Sequence, residues 1–265
     1  MQPRIEKLVD IGANLTHPAF HNDLPGVLAR AREAGVGQMV ITGTSVLESA
    51  KASGLAKEHP DTLFATAGIH PHHASECDAS TIPALRALAQ QPRVVAIGEC
   101  GLDFNRNYSP HPDQEKWFAA QVELAVELKK PLFLHSRDAF PRFGEVLKPY
   151  LPHKAVAHCF TGEKVELHAY LDLGLYIGIT GWICDERRGA HLLELVKDIP
   201  PDRLLLETDA PYLTPRDMRP QPKARRNEPA FLPHILQTVA RALGKPAGQV
   251  AEETTRNAKQ FFGLP

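Results

Sequence analysis

The chain has 265 residues, with 30 Lys and Arg against 31 Asp and Glu and a formal net charge of −1 at pH 7. That balance gives no global positive field to attract phosphates, so composition excludes binding of polyanions through net charge alone and leaves room only for a local basic groove. A hydrophobic fraction of 43% and a charged fraction of 23% are ordinary for a water-soluble protein with a sizeable core, and no run approaches a membrane span.

The four cysteines, Cys77, Cys100, Cys159 and Cys184, form no C-x-x-C pair and fit no zinc module by spacing, so they read as reduced thiols. Met1 to Asp10 carries no apolar signal region. The expectation is a soluble, cytoplasmic protein, without membrane partners, forming one domain over residues 1–265.

The first strand is Leu8 to Gly12, followed by Ala13-Asn14-Leu15-Thr16. Asp23 to Glu33 has Leu24, Val27, Leu28 and Ala31 at helical spacing, with Gly35 as a C-cap. Gln38 to Thr42 is a second strand. Ser45 then caps a helix to about Glu58, with Glu48 placed for a capping box. Leu63 to Ile69 is a third strand that delivers His70-Pro71-His72-His73, and a helix from Ser80 or Thr81 runs to Gln90.

The fourth strand begins at Val94. Val94-Val95-Ala96-Ile97 is β-branched and apolar without alternation, as expected for a strand buried on both faces, and it ends in Gly98-Glu99. Gly98 and Gly101 bracket Glu99 and allow tight backbone turns there. A helix from Asp113 to about Leu128 follows, then a strand from Pro131 to His135 and a helix to about Leu147. Ala155 to His158 and Leu175 to Ile179 are the sixth and seventh strands, separated by a helix over Gly162 to Leu173. After a helix over Arg187 to Lys197, the eighth strand is Arg203 to Asp209. A Pro- and Arg-rich loop over Ala210 to Arg226 leads to two helices, from Asn227 (as N-cap) to about Leu243 and from Ala247 to Phe262. Eight strands, each followed by a helix-bearing segment, predict an α/β protein with a (β/α)8 TIM barrel and C-terminal helices. No G-x-G-x-x-G follows a strand, which counts against a dinucleotide-binding sheet.

The chemistry sits where the strands end: His70 after the third, Glu99 at the fourth, His135 at the fifth, His158 at the sixth and Asp209 at the eighth. In a (β/α)8 barrel these positions share one face, and imidazoles with carboxylates around one point make a divalent-metal site. Glu99, His135, His158 and Asp209 are the expected ligands. Glu99 is suited to bridging, and Asp209 either to ligation or to taking a proton from water. The plain alternatives are a Glu99 that caps a helix or pairs with an Arg, strand-end histidines facing solvent, and an Asp209 that caps a turn before Ala210-Pro211. His17, His21, His72, His73 and His111 read as surface or loop histidines, and Cys100 and Cys159 as small core fillers.

The segments Ile97-Gly98-Glu99-Cys100-Gly101-Leu102-Asp103-Phe104, His135-Ser136-Arg137-Asp138, His158-Cys159-Phe160-Thr161-Gly162 and Glu207-Thr208-Asp209-Ala210-Pro211-Tyr212-Leu213 resemble the TatD family of metal-dependent deoxyribonucleases. Arg226-Asn227-Glu228-Pro229 is similar too, and the likeness runs from about Asp10 to Phe262. The resemblance implies a metal-dependent hydrolase barrel that cleaves phosphodiesters of single-stranded DNA and RNA ends from 3′ to 5′ with Mg2+, in DNA repair or degradation, as a monomer. Mn2+ and Zn2+ are chemically apt for the same ligands. Asp209, Glu99 and His70 are then the catalytic set, with His70 at the scissile phosphate or leaving oxygen. His70, Arg137, Arg225 and Arg226 would bind phosphates, and Phe104, Phe160, Trp182 and Tyr212 could stack bases or pack at the rim.

One departure stands out: where much of the family carries His-x-His after the first strand, this chain has Asp10-Ile11-Gly12-Ala13-Asn14. Of two metal positions, one loses two nitrogen ligands, and Asp10, Asn14 or a substrate phosphate could help recruit a second ion. The alternative enzyme reading is a barrel amide or lactone hydrolase, or a deaminase, with the same ligands. A third reading is a non-catalytic binding protein that keeps the barrel.

Overall fold

The computed structural model describes residues 8–222 and 225–265. Residues 1–7, most of the stretch read for a targeting signal, and residues 223–224 of the long Pro- and Arg-rich loop lie outside them.

One eight-stranded sheet runs in the order β1 (Leu8–Ala13), β2 (Val36–Ile41), β3 (Leu63–Ala67), β4 (Val94–Asp103), β5 (Leu132–Arg137), β6 (Ala155–Ala157), β7 (Tyr176–Ile179) and β8 (Leu204–Leu206). The helices are α1 (Leu24–Glu33), α2 (Val46–Glu58), α3 (Thr81–Ala89), α4 (His111–Leu128), α5 (Arg142–Leu147), α6 (Lys164–Asp172), α7 (Leu192–Leu195), α8 (Leu232–Leu243) and α9 (Ala247–Phe262). A parallel bridge between Ala13 and Ala210 links the end of β1 to the segment after β8. The fold is the expected (β/α)8 barrel.

Several boundaries differ from the sequence reading for physical reasons. β4 does not stop at Glu99. It continues to Asp103, pairing Gly101 with His135 and Asp103 with Arg137, after a register shift between Gly98 and Cys100. Such a bulge re-aims the residue at its centre, here Glu99. Gly98 and Gly101 therefore serve strand contact rather than turns. Their φ angles are +137° and +143°, and a Cβ at either would meet Phe133 O at 2.1 Å or His135 O at 1.9 Å. The helix expected over Arg187 to Lys197 is reduced to α7 and a 3-10 turn, Val196–Asp198. Its start is taken up by turns around Asp185, whose carboxylate accepts from Arg187 N at 3.0 Å and Arg188 N at 3.3 Å. Asn227 does not cap α8. A 3-10 turn, Pro229–Phe231, precedes that helix, and the Asn227 amide instead donates to Thr208 O and Tyr212 O at 2.8 and 2.6 Å. By contrast, Ser45 caps α2 as read, its Oγ accepting from Glu48 N at 3.1 Å.

The chain forms two compact units, Ile41–Tyr176 and the combination of Met1–Val40 with Ile177–Pro265. The first buries a run of aromatic rings, Phe118 stacked on Phe143 at 5.4 Å and Phe143 tilted against Tyr170 at 5.1 Å, and Phe133, Leu85 and Leu63 are fully buried in the same unit. In the second, Ile11, Phe20, Val27, Leu205, Ile235, Val239, Val250 and Phe261 form the core. Each large apolar side chain so buried contributes about 1.5–3 kcal/mol of transfer free energy. Among the described residues no helix is long and apolar enough to cross a membrane.

Candidate metal and active site

Within the Ile41–Tyr176 unit, the residues after β3 and on or after β4, β5 and β6 converge on one carboxylate oxygen. Glu99 Oε1 lies 2.9 Å from His135 Nδ1, 2.8 Å from His158 Nε2 and 3.4 Å from His70 Nε2. Backbone bonds hold each element in place: Glu99 N donates to Gly43 O at 2.7 Å, His70 N to Thr44 O at 2.8 Å and His158 N to Leu134 O at 2.9 Å. The His70 Nδ1 accepts from His72 N at 3.1 Å, so its tautomer places the proton on Nε2 toward Glu99 when no other ligand is present.

Two residues that the sequence reading left out belong to this cluster. Asp103 is buried, and its Oδ2 sits 2.7 Å from His72 Nε2 and 3.5 Å from His135 Nε2. His72 is therefore not a free surface histidine. It is paired with Asp103, and its ring meets those of His70 and Tyr108 edge-on at 4.1 and 4.7 Å. A signal existed for Asp103: positions 99, 101 and 103 alternate along a strand, and strand residues two apart share a face.

The supports come from α4. Gln121 accepts from Ile69 N at 2.7 Å and donates to Ile69 O at 3.2 Å, one residue before His70. Gln114 accepts from Asp103 N at 2.8 Å and donates to Asp103 O at 3.1 Å. Two glutamines seven residues apart share one face of a helix, and both are buried here. Polar residues on the apolar face of α4 were the available sign that this helix positions something.

Burial works against a charge on Glu99, yet His158, His70 and His135 outweigh it and hold its carboxyl well below the usual range. Asp103 behaves alike: burial opposes ionisation, and the His135 and His72 contacts win. Burial pushes His70 down to about 4, with His135 adding to the effect against the pull of Glu99, so at neutral pH His70 is uncharged. Burial also opposes a charge on His135, but the neighbouring Asp103 and Glu99 carboxylates raise it.

The donor set fits a divalent cation. His70, Glu99 and His135 each offer a ligand atom within 4.8 Å of the others. His135 Nε2 is buried with no hydrogen-bond partner, the separation from Asp103 being long for one. An orphaned buried ring nitrogen near the Asp103 carboxylate is costly unless something binds there.

In the other unit, Asp209 follows β8 with φ 55°, and its Oδ1 accepts from Asn14 Nδ2 at 3.0 Å. Asp10 is fully buried, and both its oxygens are engaged by Thr208 N, Thr208 Oγ1 and Gly12 N at 2.9, 2.5 and 3.3 Å. The expectation that Asp10 could recruit a second ion therefore meets a carboxylate already saturated by donors.

Arg226 bonds Asp23 at 2.9 Å through both oxygens, Glu228 at 2.6 Å and Ala19 O at 2.6 Å, and lies over the Phe20 ring. A phosphate would have to displace one of these carboxylates. Arg225 is exposed, in a left-handed conformation after Pro222. Arg137 is half-buried at the end of β5. Of the aromatic candidates, Phe160 is buried and cannot stack a base, Phe104 stacks on His111 at 3.7 Å, Trp182 lies under Arg188 at 4.4 Å, and Tyr212 is exposed with its edge on His17. Cys100 is a buried core thiol, as read, whereas Cys159 is half-buried with φ 47°.

The family model described as TatD related DNase matches residues 9–263. A protein of Erwinia tasmaniensis named 3′-5′ ssDNA/RNA exonuclease TatD is 58% identical over 259 residues, which cover 97% of this chain and 100% of that one. Among solved structures, a TatD homologue from Escherichia coli superposes with a TM-score of 0.90 at 28% identity, covering 98% of this chain and all of the other. A structure described as an uncharacterized amidohydrolase from Saccharomyces cerevisiae gives a TM-score of 0.86 at 25% identity, over 97% of this chain and 99% of that one.

Proposed function

The chain belongs to the TatD-related DNase family, and from that premise we propose that it is a Mg2+-dependent exonuclease that hydrolyses single-stranded DNA and RNA from the 3′ end, as a cytoplasmic monomer. The observation that carries this reading is the single oxygen of Glu99 ringed by His70, His135 and His158, with the far ring nitrogen of His135, Nε2, buried near Asp103 without a hydrogen-bond partner. Its four free cysteines suit a reducing compartment.

Glu99, His135 and His158 are the proposed ligands, with Asp209 as ligand or base. A bound divalent cation supplies charge neutralisation at the phosphoryl group and lowers the pKa of water. Around it, Glu99 keeps its negative charge because three imidazoles outweigh its burial, so it offers an anionic oxygen at neutral pH. Asp103 holds His72 at 2.7 Å and sets a second negative charge 3.5 Å from His135 Nε2. Asp209, oriented by the Asn14 amide, is the proposed group that aligns the attacking water and accepts its proton. His70, uncharged at neutral pH, can donate a hydrogen bond from Nε2 to the scissile phosphate or the leaving oxygen. Arg137 and Arg225 are the proposed contacts for neighbouring phosphates. Arg226 would join them only by exchanging Asp23 or Glu228 for phosphate.

Digestion of 3′-labelled and 5′-labelled single-stranded DNA, with and without EDTA, tests this. The 3′ label should leave at once as a mononucleotide and the 5′ label should persist on a shortening ladder, both halted by EDTA and restored by Mg2+. Absence of phosphodiester cleavage, with turnover of a lactone or amide instead, would favour the carbonyl-hydrolase reading.

A further inference from the structure

A second group of ligating side chains lies in the unit of Met1–Val40 with Ile177–Pro265, contributed by three different segments. Cys184 ends the 3-10 turn Gly181–Cys184 after β7, Asp217 lies in the loop after β8, and His234 is in the first turn of α8. A ligand atom from each lies within 4.8 Å of the others. His234 Nε2 is 2.6 Å from Asp217 Oδ1, while Asp217 Oδ2 lies 3.9 Å from Arg241. Cys184 is buried and bonds Thr238 Oγ1 at 3.5 Å, whereas Asp217 and His234 are reached by solvent, with side chains 38% and 25% exposed. An ion can thus enter from the Asp217–His234 side and meet the sulfur at the inner end.

We propose that Cys184, Asp217 and His234 bind a borderline-soft divalent cation, Zn2+ in the first place, and that this ion fastens the loop after β8 to α8 and to the turn after β7.

The donor chemistry selects the ion. A thiolate is a poor ligand for Mg2+ or Ca2+ and a good one for Zn2+, and an imidazole and a carboxylate complete an S, N, O set with water in the fourth position. Ligands on one tetrahedral Zn2+ lie about 3.3–3.6 Å apart, given bond lengths near 2.0–2.3 Å. The cluster therefore needs only to open the His234–Asp217 pair by several tenths of an ångström and to draw in its widest pair. Binding replaces the Cys184 S–H bond by a sulfur–metal bond and releases one proton to solvent. The resulting thiolate and Asp217 carry two negative charges against the ion, and Arg241 remains beside Asp217 Oδ2.

The surrounding backbone is close-packed. A Cβ at Gly181 would meet Leu213 O at 2.3 Å and Pro215 at 3.3 Å, so the segment bearing Cys184 is pressed against the loop it would be tied to. A nucleophilic role for the thiol is disfavoured, since burial first and Asp217 next push Cys184 up to about 12.

The test uses the full-length Glu99→Gln protein, which silences the first cluster, titrated with Co2+ as a spectroscopic probe. One equivalent should produce a thiolate-to-cobalt charge-transfer band, and Zn2+ should displace it. The band should be lost on adding Cys184→Ser, and Co2+ affinity should fall at least about tenfold with Asp217→Asn or His234→Gln. Zn2+ should also raise the melting temperature of Glu99→Gln but not of Glu99→Gln/Cys184→Ser. A band that is absent at stoichiometric Co2+, or one that persists without Cys184, would overturn the proposal. Should Cys184→Ser not fold, the Asp217→Asn and His234→Gln titrations decide alone, and unchanged affinity in both sinks it.

Discussion

The cluster around Glu99 and the strand ends of β1 and β8 use similar polar residues in opposite ways. Around Glu99, three imidazoles crowd one oxygen and a buried ring nitrogen has no hydrogen-bond partner. At β1 and β8, donors and acceptors are matched: Asp10 is filled by Thr208 and Gly12, the Asn14 amide reaches Asp209, and Asn227 spans Thr208 O and Tyr212 O. The first arrangement has spare coordination capacity and is suited to hold an ion. In the second, Asp10 and Asn227 have their capacity spent inside the protein and are suited to hold geometry. The segment from Asp10 to Asn14 contains no histidine, so the end of β1 offers no imidazole nitrogen, which is one chemical root of the difference.

The largest expected effect tests the first region. Glu99→Gln keeps the shape but removes the charge at the centre of the imidazole ring, so exonuclease turnover should fall by about a thousandfold or more while circular dichroism and melting stay near parental values. Parental rates at saturating Mg2+ would mean that Glu99 is not a ligand. Asp103→Asn should be milder. It retains a hydrogen-bonding amide but loses the negative charge beside His135, which should cost about 10–100-fold in metal affinity, read as the Mn2+ concentration needed for half-maximal activity. If that midpoint does not move, Asp103 serves only His72.

The second region should respond through geometry rather than metal binding. Asn14→Ala removes the donor to Asp209 Oδ1, and kcat should drop several-fold to about tenfold with the metal midpoint unchanged. A shifted midpoint would move Asn14 into the metal site and erase the contrast between the regions.

The smallest effect concerns Asp10. Burial raises its carboxyl from 3.8 to about 7, against the opposing hydrogen bonds of Thr208 and Gly12. The folded chain then keeps a proton that the unfolded chain releases. The Asp10 contribution is thus fully present below 3.8 and is lost as pH rises through about 7. Asp10→Asn cannot ionise, so the melting temperature of the variant relative to the parent should climb across that interval. A constant difference from acid to neutral pH would show that Asp10 is ionised throughout.

Much of this was legible in the amino-acid order. Short apolar runs, each followed by a helix-bearing segment, announced the eight strands, because strands buried in a parallel sheet are apolar, and the residues ending them pointed to His70, Glu99, His135 and His158. Helix α9, expected over about Ala247 to Phe262, spans those residues. What the order of residues left undecided depends on who meets whom across the chain. The bulge at Glu99 arises from pairing with β5, so the strand's extension to Asp103 had no local signature. His72 could be told from a surface histidine only by the Asp103 oxygen brought to it from thirty-one residues away. Asn227 looked like a cap because caps are local, yet its partners lie at Thr208 and Tyr212. Arg226 looked like a phosphate ligand because a guanidinium attracts any anion, and only the fold supplied Asp23 and Glu228. Periodicity and local chemistry are written in neighbours along the chain. The charge and hydrogen-bond balance of each polar group is set by neighbours in space, and that only the tertiary structure decided.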